Sequence, residues 1–221
     1  MSSQTTPARL ESPTSRAVPS YPHIIKALNL VRDKVDSAGI EEELKADPVI
    51  SYRLMMYVNS AAMDFPRQIT SYREAVSVLG FSRLYRWLVR LLVTADPGDR
   101  GSAVGRNAIT RGRFLELLGA AGGGKDSGDD LFVVGALSLL EVLFGEPMPV
   151  LLKDLRISES MRLALIETAG PYGPLLRLAE AIERTDEPRI AAAMDELPHL
   201  PIDLIFDSYE EALNSVEKVE T

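Results

Sequence analysis

Apolar residues recur along this chain at intervals of three and four, the spacing of one face of an α-helix. In "HIIKALNLVRDKV" the row is Ile24, Leu28, Val31 and Val35, with Gly39 as the stop. "IEEELKAD" reads as a short helix with a polar face. "DPVISYRLMMYVNSA" carries its own start signal. Asp47 can accept from free N–H groups of the first turn, and Pro48 suits the first helical position, where no N–H partner is needed. Val49, Leu54, Met55 and Val58 can face a core, and Asn59 and Ser60 close the helix. "SYREAVSVLG" carries a capping box, Ser71 with Glu74, and stops at Gly80. Ser82 then stands to cap "RLYRWLVRLLVTAD".

The breaker-rich stretch 96–105 predicts a loop, followed by a helix around 106–121 with Phe114, Leu117 and Leu118 apolar. "GGGKDSGDD" predicts a second loop. It lacks the GxxxxGK[ST] order of a phosphate-binding loop, and its Asp residues would repel phosphate. "FVVGALSLLEVLF" then predicts a helix over about 130–144, apolar around most of its circumference and hence central and buried. A Pro-punctuated turn with a short helix follows, then "ESMRLALIETAG" capped by Ser158, "GPLLRLAEAIERTD", and "RIAAAMDEL" opened by Pro188. The last segment places Ile202, Ile205, Phe206, Tyr209, Leu213 and Val216 on one stripe. Alternating strand patterns and internal repeats are missing. The expectation is an all-α unit of about ten helices in two abutting bundles, about 22–95 and 106–217. A Ser/Thr/Pro-rich leader over 1–21 is expected to be disordered.

Composition narrows the chemistry. With no cysteine, disulfides, thiol nucleophiles and thiolate metal sites are excluded. Two histidines, His23 and His199, cannot build a His-rich metal centre, and both read as incidental surface residues. The longest apolar run, Leu131 to Phe144, is short of the ~18 residues of a membrane span, and no secretory signal is evident. A cytoplasmic protein without a membrane partner is expected. The net charge of −8 is uneven. Residues 83–113 hold seven Arg against two Asp, a local +5, while 114–221 hold eight Lys/Arg against 21 Asp/Glu, a local −13. The acidic body argues against general affinity for nucleic acid, and the Arg-rich segment suits a local anion or partner.

The segment 47–93 resembles the HDOD family, the HD-related output domains of bacteria. The elements in order are Asp47-Pro48, Asn59-Ser60-Ala61, Ile69, Ala75 and Leu79-Gly80, then a helix with basic residues. "GFSRLYRWLVRLL", "RGRFLELL", "LFVVGALSLLEVLFGEPMPVLLKDL", "ALIETAGPYGPLLRLAEAIE" and "YEEAL" extend the likeness over about 22–217. They look like the HDOD half of EAL–HDOD signalling proteins, here expected as a free-standing version without the half that binds or hydrolyses cyclic di-GMP.

HD-superfamily phosphohydrolases, to which the resemblance leads, hold divalent metals with several His residues and a His-Asp pair; the metal supplies a hydroxide near neutral pH. Aligned by Gly135, Ser138 falls where the His would stand and Leu139 where the Asp would. No catalytic residue, metal or other cofactor is therefore expected. Ser138 reads as a buried hydroxyl bonded to a carbonyl one turn back. Glu141 should reach a buried Arg or a neighbouring helix terminus, since an unpaired buried carboxylate is costly. Arg83, Arg86 and Arg90 share a helix face, and Trp87, four residues after Arg83, can stack with its guanidinium. One reading makes Trp87 core and the arginines solvated or paired; the other makes the face a docking surface for an acidic partner or a phosphate-bearing ligand. Asn59 and Ser60 read first as a helix end and loop fixation, then as interaction residues. Tyr172 and Pro174 shape a helix–helix turn. The resemblance implies a non-catalytic signalling module that meets partner proteins, among them cyclic di-GMP-metabolising enzymes, in second-messenger, stress or motility control. The competing readings are a residual metal-dependent phosphohydrolase and a small-ligand or nucleic-acid sensor using the Arg-rich face.

Overall fold

The computed structural model describes residues 18–95, 99–121 and 125–217. The periodic segments become α1 (Tyr21–Arg32), α2 (Ser37–Ala46), α3 (Pro48–Val58), a 3-10 turn (Ala61–Met63), α4 (Tyr72–Val93), α5 (Asp99–Ala121) and α6 (Lys125–Leu137). They continue as α7 (Leu140–Phe144), α8 (Met148–Leu151), α9 (Glu159–Glu167), α10 (Gly173–Glu183), α11 (Glu187–Asp195) and α12 (Ile202–Glu217). No strand occurs among the described residues, so the fold is all-α as expected. One connected core runs from Ile24 to Ala212, with Phe114 and Phe132 its largest fully buried side chains.

The caps are those that the short motifs specify. Asp47 accepts from the N–H groups of Val49 (2.7 Å) and Ile50 (3.1 Å). Ser71 caps α4 at Glu74, and Ser158 caps α9 at Met161. Of the leader expected over 1–21, residues 1–17 lie outside the described residues. α1 already begins at Tyr21, and the Ser20 N–H donates to Asp47 Oδ2 at 2.7 Å, tying the chain entrance to the α3 cap.

Several boundaries differ from the sequence expectation, and close packing is the reason. α4 runs through Gly80, whose φ of +69° makes a kink that a glycine holds without strain. The Ser82 hydroxyl donates to Asp129 instead of capping a new helix. The loop expected over 96–105 is helical from Asp99, because Gly105 serves contact rather than a turn: a Cβ there would meet the Val93 carbonyl oxygen at 2.7 Å. The second loop gives way to α6 at Lys125, and residues 122–124 lie outside the described residues.

α5 and α6 form the tightest helix pair. A Cβ on Gly135 would stand 2.7 Å from the Arg111 carbonyl oxygen and the Gly112 Cα; one on Gly112 would stand 2.7 Å from the Phe132 carbonyl oxygen. The two backbones touch at these glycines. The helix expected over 130–144 does not continue through: α6 ends at Leu137 and α7 starts at Leu140. Residues 131–137 are buried as expected, but Glu141, Val142 and Phe144 are exposed. The expected stripe of α12 is also divided. Ile205, Ser208 and Ala212 are buried, while Ile202, Phe206 and Leu213 are exposed. A stripe holding both Ile205 and Phe206 is too wide to bury whole. The small Ser208 and Ala212 let α12 approach, and Tyr209 meets Phe114 edge-on at 5.3 Å.

Candidate functional site

Ser138, which the resemblance sets against a metal-ligating His, lies where α6 ends. Ser138 Oγ donates to the Gly135 carbonyl at 2.7 Å, one turn back, and accepts from Arg111 Nη1 at 2.7 Å. Arg111 comes from α5 and is only 5% exposed. Its Nε donates to Glu183 Oε1 at 2.8 Å, its Nη2 pairs with the other oxygen of Glu183, and Glu180 stands 3.6 Å from Nη1. A fork-to-fork pair of this kind joins two charges through parallel hydrogen bonds and leaves few donors unmet. Leu139 follows at the helix break and offers no ligand atom.

These residues do not fit a metal ion. Among the described residues, no group of three or more His, Cys, Asp or Glu is placed to hold one. The positive charge at this position is a guanidinium. Ser138 and Glu141 take different hydrogen-bond partners. The exposed Glu141 carboxylate accepts from the Met148 N–H at 2.5 Å and so meets the start of α8, the helix terminus rather than the arginine of the two expected partners. His23 differs from its incidental reading: its Nδ1 is 2.8 Å from Glu43 Oε1, and Lys26 reaches the other oxygen. Burial by itself would raise the pKa of Glu43, but the hydrogen bonds from Lys26 and His23 outweigh it and hold the carboxyl below its ordinary range.

The second half of α4 builds a different site. Arg83, Arg86, Trp87 and Arg90 line a cleft of about 530 Å³ with Ser82, with Tyr57 from α3, and with Ala62 and Met63 from the 3-10 turn. Trp87 is buried and stacks on Tyr57, ring centres 6.0 Å apart. It does not take the Arg83 guanidinium that the spacing suggested. The ring that carries guanidinium is Phe132 of α6, under Arg86 at 4.6 Å and Arg90 at 5.8 Å.

The three arginines differ in partners. Arg86 binds Glu116 through both nitrogens, with Nη2–Oε2 at 2.7 Å, and reaches Asp129 at 3.4 Å. Glu116 also accepts from Arg113 at 2.8 Å, and Arg113 crosses to Glu211 of α12 at 2.7 Å. Arg90 has no carboxylate in ion-pair reach among the described residues, although burial draws its pKa below the ordinary arginine value. Arg83 is exposed and equally without an ion pair among the described residues.

Asn59 and Ser60 do not line this cleft; they hold its wall in place. Asn59 Nδ2 donates to the carbonyls of Met55 and Ile69, both at 2.9 Å, and its Oδ1 accepts from the Ile69 N–H at 2.8 Å. Ser60 Oγ donates to the Tyr57 carbonyl at 2.7 Å. Together they fix the segment that carries Ala62 and Met63. The Tyr172 hydroxyl donates to Asp130 at 3.2 Å, which joins its turn to α6. Sequence reasoning missed Tyr57, Met63, Arg111 and Glu183. A signal for Arg111 exists: it falls in the apolar row Ala108, Leu115, Leu118 of its helix.

The family follows from the length of the match. The model of the HDOD domain matches residues 18–142, more than half of the 221 residues. The chain belongs to the HDOD domain family. The matched part of this HDOD domain contains the cleft, Arg111 and Ser138; Glu180 and Glu183 lie beyond it. The HDOD chain is 27% identical over 168 residues to the cyclic di-GMP phosphodiesterase CdgJ of Vibrio cholerae, a match that covers 74% of this chain and 39% of that protein. It is 22% identical over 168 residues to the uncharacterised protein YuxH of Bacillus subtilis, covering 74% of this chain and 40% of that one. The HDOD chain thus matches well under half the length of these relatives. No solved structure matches it. Among the described residues no helix is long and apolar enough to cross a membrane.

Proposed function

We propose that this HDOD domain is a non-catalytic signalling module that acts by contact with other proteins, in second-messenger control involving cyclic di-GMP. The observation that carries the reading is the Arg111–Glu183 pair beside Ser138. The position that the family resemblance assigns to a metal ligand is engaged by a buried guanidinium. A hydroxide-generating metal needs several deprotonated ligands converging on one point, and Ser138 and Leu139 supply none. The named activity of the Vibrio relative supports the cyclic di-GMP setting. The Arg83–Arg86–Arg90 face of α4 is the proposed docking face. The partners it suits are cyclic di-GMP-metabolising enzymes that present acidic surface, and stress or motility control is a further output.

Two measurements test this. Purified chain, assayed with cyclic di-GMP in the presence of Mn²⁺ or Mg²⁺, is expected to yield no product. Turnover with bound metal in stoichiometric amount would overturn the non-catalytic reading. Affinity capture from the native cell is expected to retain a cyclic di-GMP-metabolising enzyme on wild type that Arg83→Glu loses. Identical partners on both would reject this docking face.

A further inference from the structure

The cleft beside α4 carries more than a docking face requires. Arg83, Arg86 and Arg90 bring three guanidiniums to it. Glu116 and Asp129, the carboxylates that engage Arg86, do not line it, and Glu116 is shared by Arg113 as well. The cleft therefore keeps a positive excess in a chain whose net charge is −8. Arg90 is the telling member. Its guanidinium is partly buried, the ring of Phe132 lies at 5.8 Å, and no carboxylate forms an ion pair with it among the described residues. A partly buried cation without an ion pair is costly, and a ring face offsets only part of that cost.

The other wall is built from aromatic and apolar side chains. Tyr57 and Trp87 are stacked on each other, and Met63 and Ala62 extend the surface. A volume of about 530 Å³ falls within the range of small-ligand pockets. Guanidinium forks recognise phosphate oxygens in pairs, and aromatic faces recognise planar rings.

We infer that this cleft binds a nucleotide, its phosphate on Arg90 and Arg83 and its base against the Tyr57–Trp87–Met63 wall. Arg86, held by Glu116, fixes the width of the cleft and adds charge. The inference concerns the face already proposed for docking, and the ligand would alter what a partner meets there. The binding itself needs no partner.

Trp87 is the one tryptophan of the chain, so its emission reports the cleft directly. The full chain is titrated with GMP, cyclic di-GMP, guanosine, inorganic phosphate and a glutamate-rich peptide, with excitation on the red edge of tryptophan absorption. A saturable change with a nucleotide is expected, weakening as salt rises. Guanosine alone and phosphate alone should each bind at least about tenfold more weakly, since each leaves one wall unused. Arg90→Gln should weaken nucleotide binding by about tenfold or more, the scale of losing one charge-assisted contact. Arg83→Gln, at an exposed position, should weaken it severalfold with an unchanged melting temperature, and it decides the matter if Arg90→Gln does not fold. No saturable response to either nucleotide overturns the inference. So do unchanged affinities in the folded variants, phosphate binding as tightly as nucleotide, or the peptide doing so. Partner capture that survives such a result would leave the docking reading standing and remove only this one.

Discussion

Arg111 is buried and Arg90 is partly buried against the same helical core, and their surroundings are opposite. Arg111 is bound on three sides: two oxygens of Glu183, the hydroxyl of Ser138, and Glu180 nearby. Arg90 lines the cleft over an aromatic ring, without an ion-paired acid among the described residues. The difference separates two uses of an arginine packed into the fold. A charge whose hydrogen bonds are spoken for belongs to the architecture, whereas one left incomplete beside a cavity is available to something from outside. In this chain the first holds the Ser138 hydroxyl at the end of α6, and the second lines the cleft beside α4.

The comparison breaks first at Arg111. Arg111→Met should lower folding stability by roughly 3 kcal/mol in urea denaturation, because Glu183 loses its counter-charge. The lower end of the range for broken buried pairs applies, since Glu183 keeps some contact with water. Combining it with Glu183→Leu should recover most of the loss, because removing both partners leaves no orphan charge. A double variant no better than the single one would show that shape, not pairing, is what Arg111 provides.

An intermediate case is a charge held by backbone N–H groups. Burial by itself would raise the pKa of Asp47, but N–H donors from Ser20, Ile50 and Val49 outweigh it and hold the carboxyl below its ordinary value. The folded pKa is thus depressed relative to the unfolded chain. The stabilisation is complete above the unfolded pKa and fades as pH falls through the folded one. Asp47→Asn should cost about 1 kcal/mol at neutral pH. The stability curves of variant and wild type should converge as pH drops below about 4. A constant gap across that window would mean that ionisation of Asp47 contributes nothing.

The smallest effect is expected at Arg90. Arg90→Met should leave stability within about 1 kcal/mol of wild type, or raise it, since an unpaired charge is replaced by a flexible apolar chain of similar length. The same variant should abolish the nucleotide response of Trp87. A loss as large as that of Arg111→Met would erase the distinction between the two arginines.

What could be read from the sequence was local. The caps Asp47, Ser71 and Ser158, the apolar rows of α1 to α4 and the backbone bond of Ser138 need only neighbours within one helical turn. The order of short motifs from Asp47 to Leu79 carried the family. Grouping Arg83, Arg86, Trp87 and Arg90 was equally a matter of helical spacing. Their partners were not legible, because these come from afar: Glu116 lies 30 residues from Arg86, and Glu183 lies 72 from Arg111. Glycines misled in the same way. Gly105 and Gly135 read as breakers or as alignment marks, and their actual service, backbone contact between helices, depends on what arrives opposite. The apolar excess of α12 hid which side would be covered, since Ile205 and Phe206 are equally hydrophobic and only one is buried.

The contact at Gly112 has a reach beyond its own helix. The atom it presses against is the carbonyl oxygen of Phe132, and the ring of that same residue is the floor beneath Arg86 and Arg90. One residue is therefore shared by two neighbourhoods, its main chain clamped against α5 beside Arg111 and its side chain supporting the cleft. A single methyl group added at position 112 would push on that carbonyl, and the floor would tilt with it. The height at which two arginines of α4 meet the cleft is thus set, at one remove, by a side chain that is only a hydrogen atom.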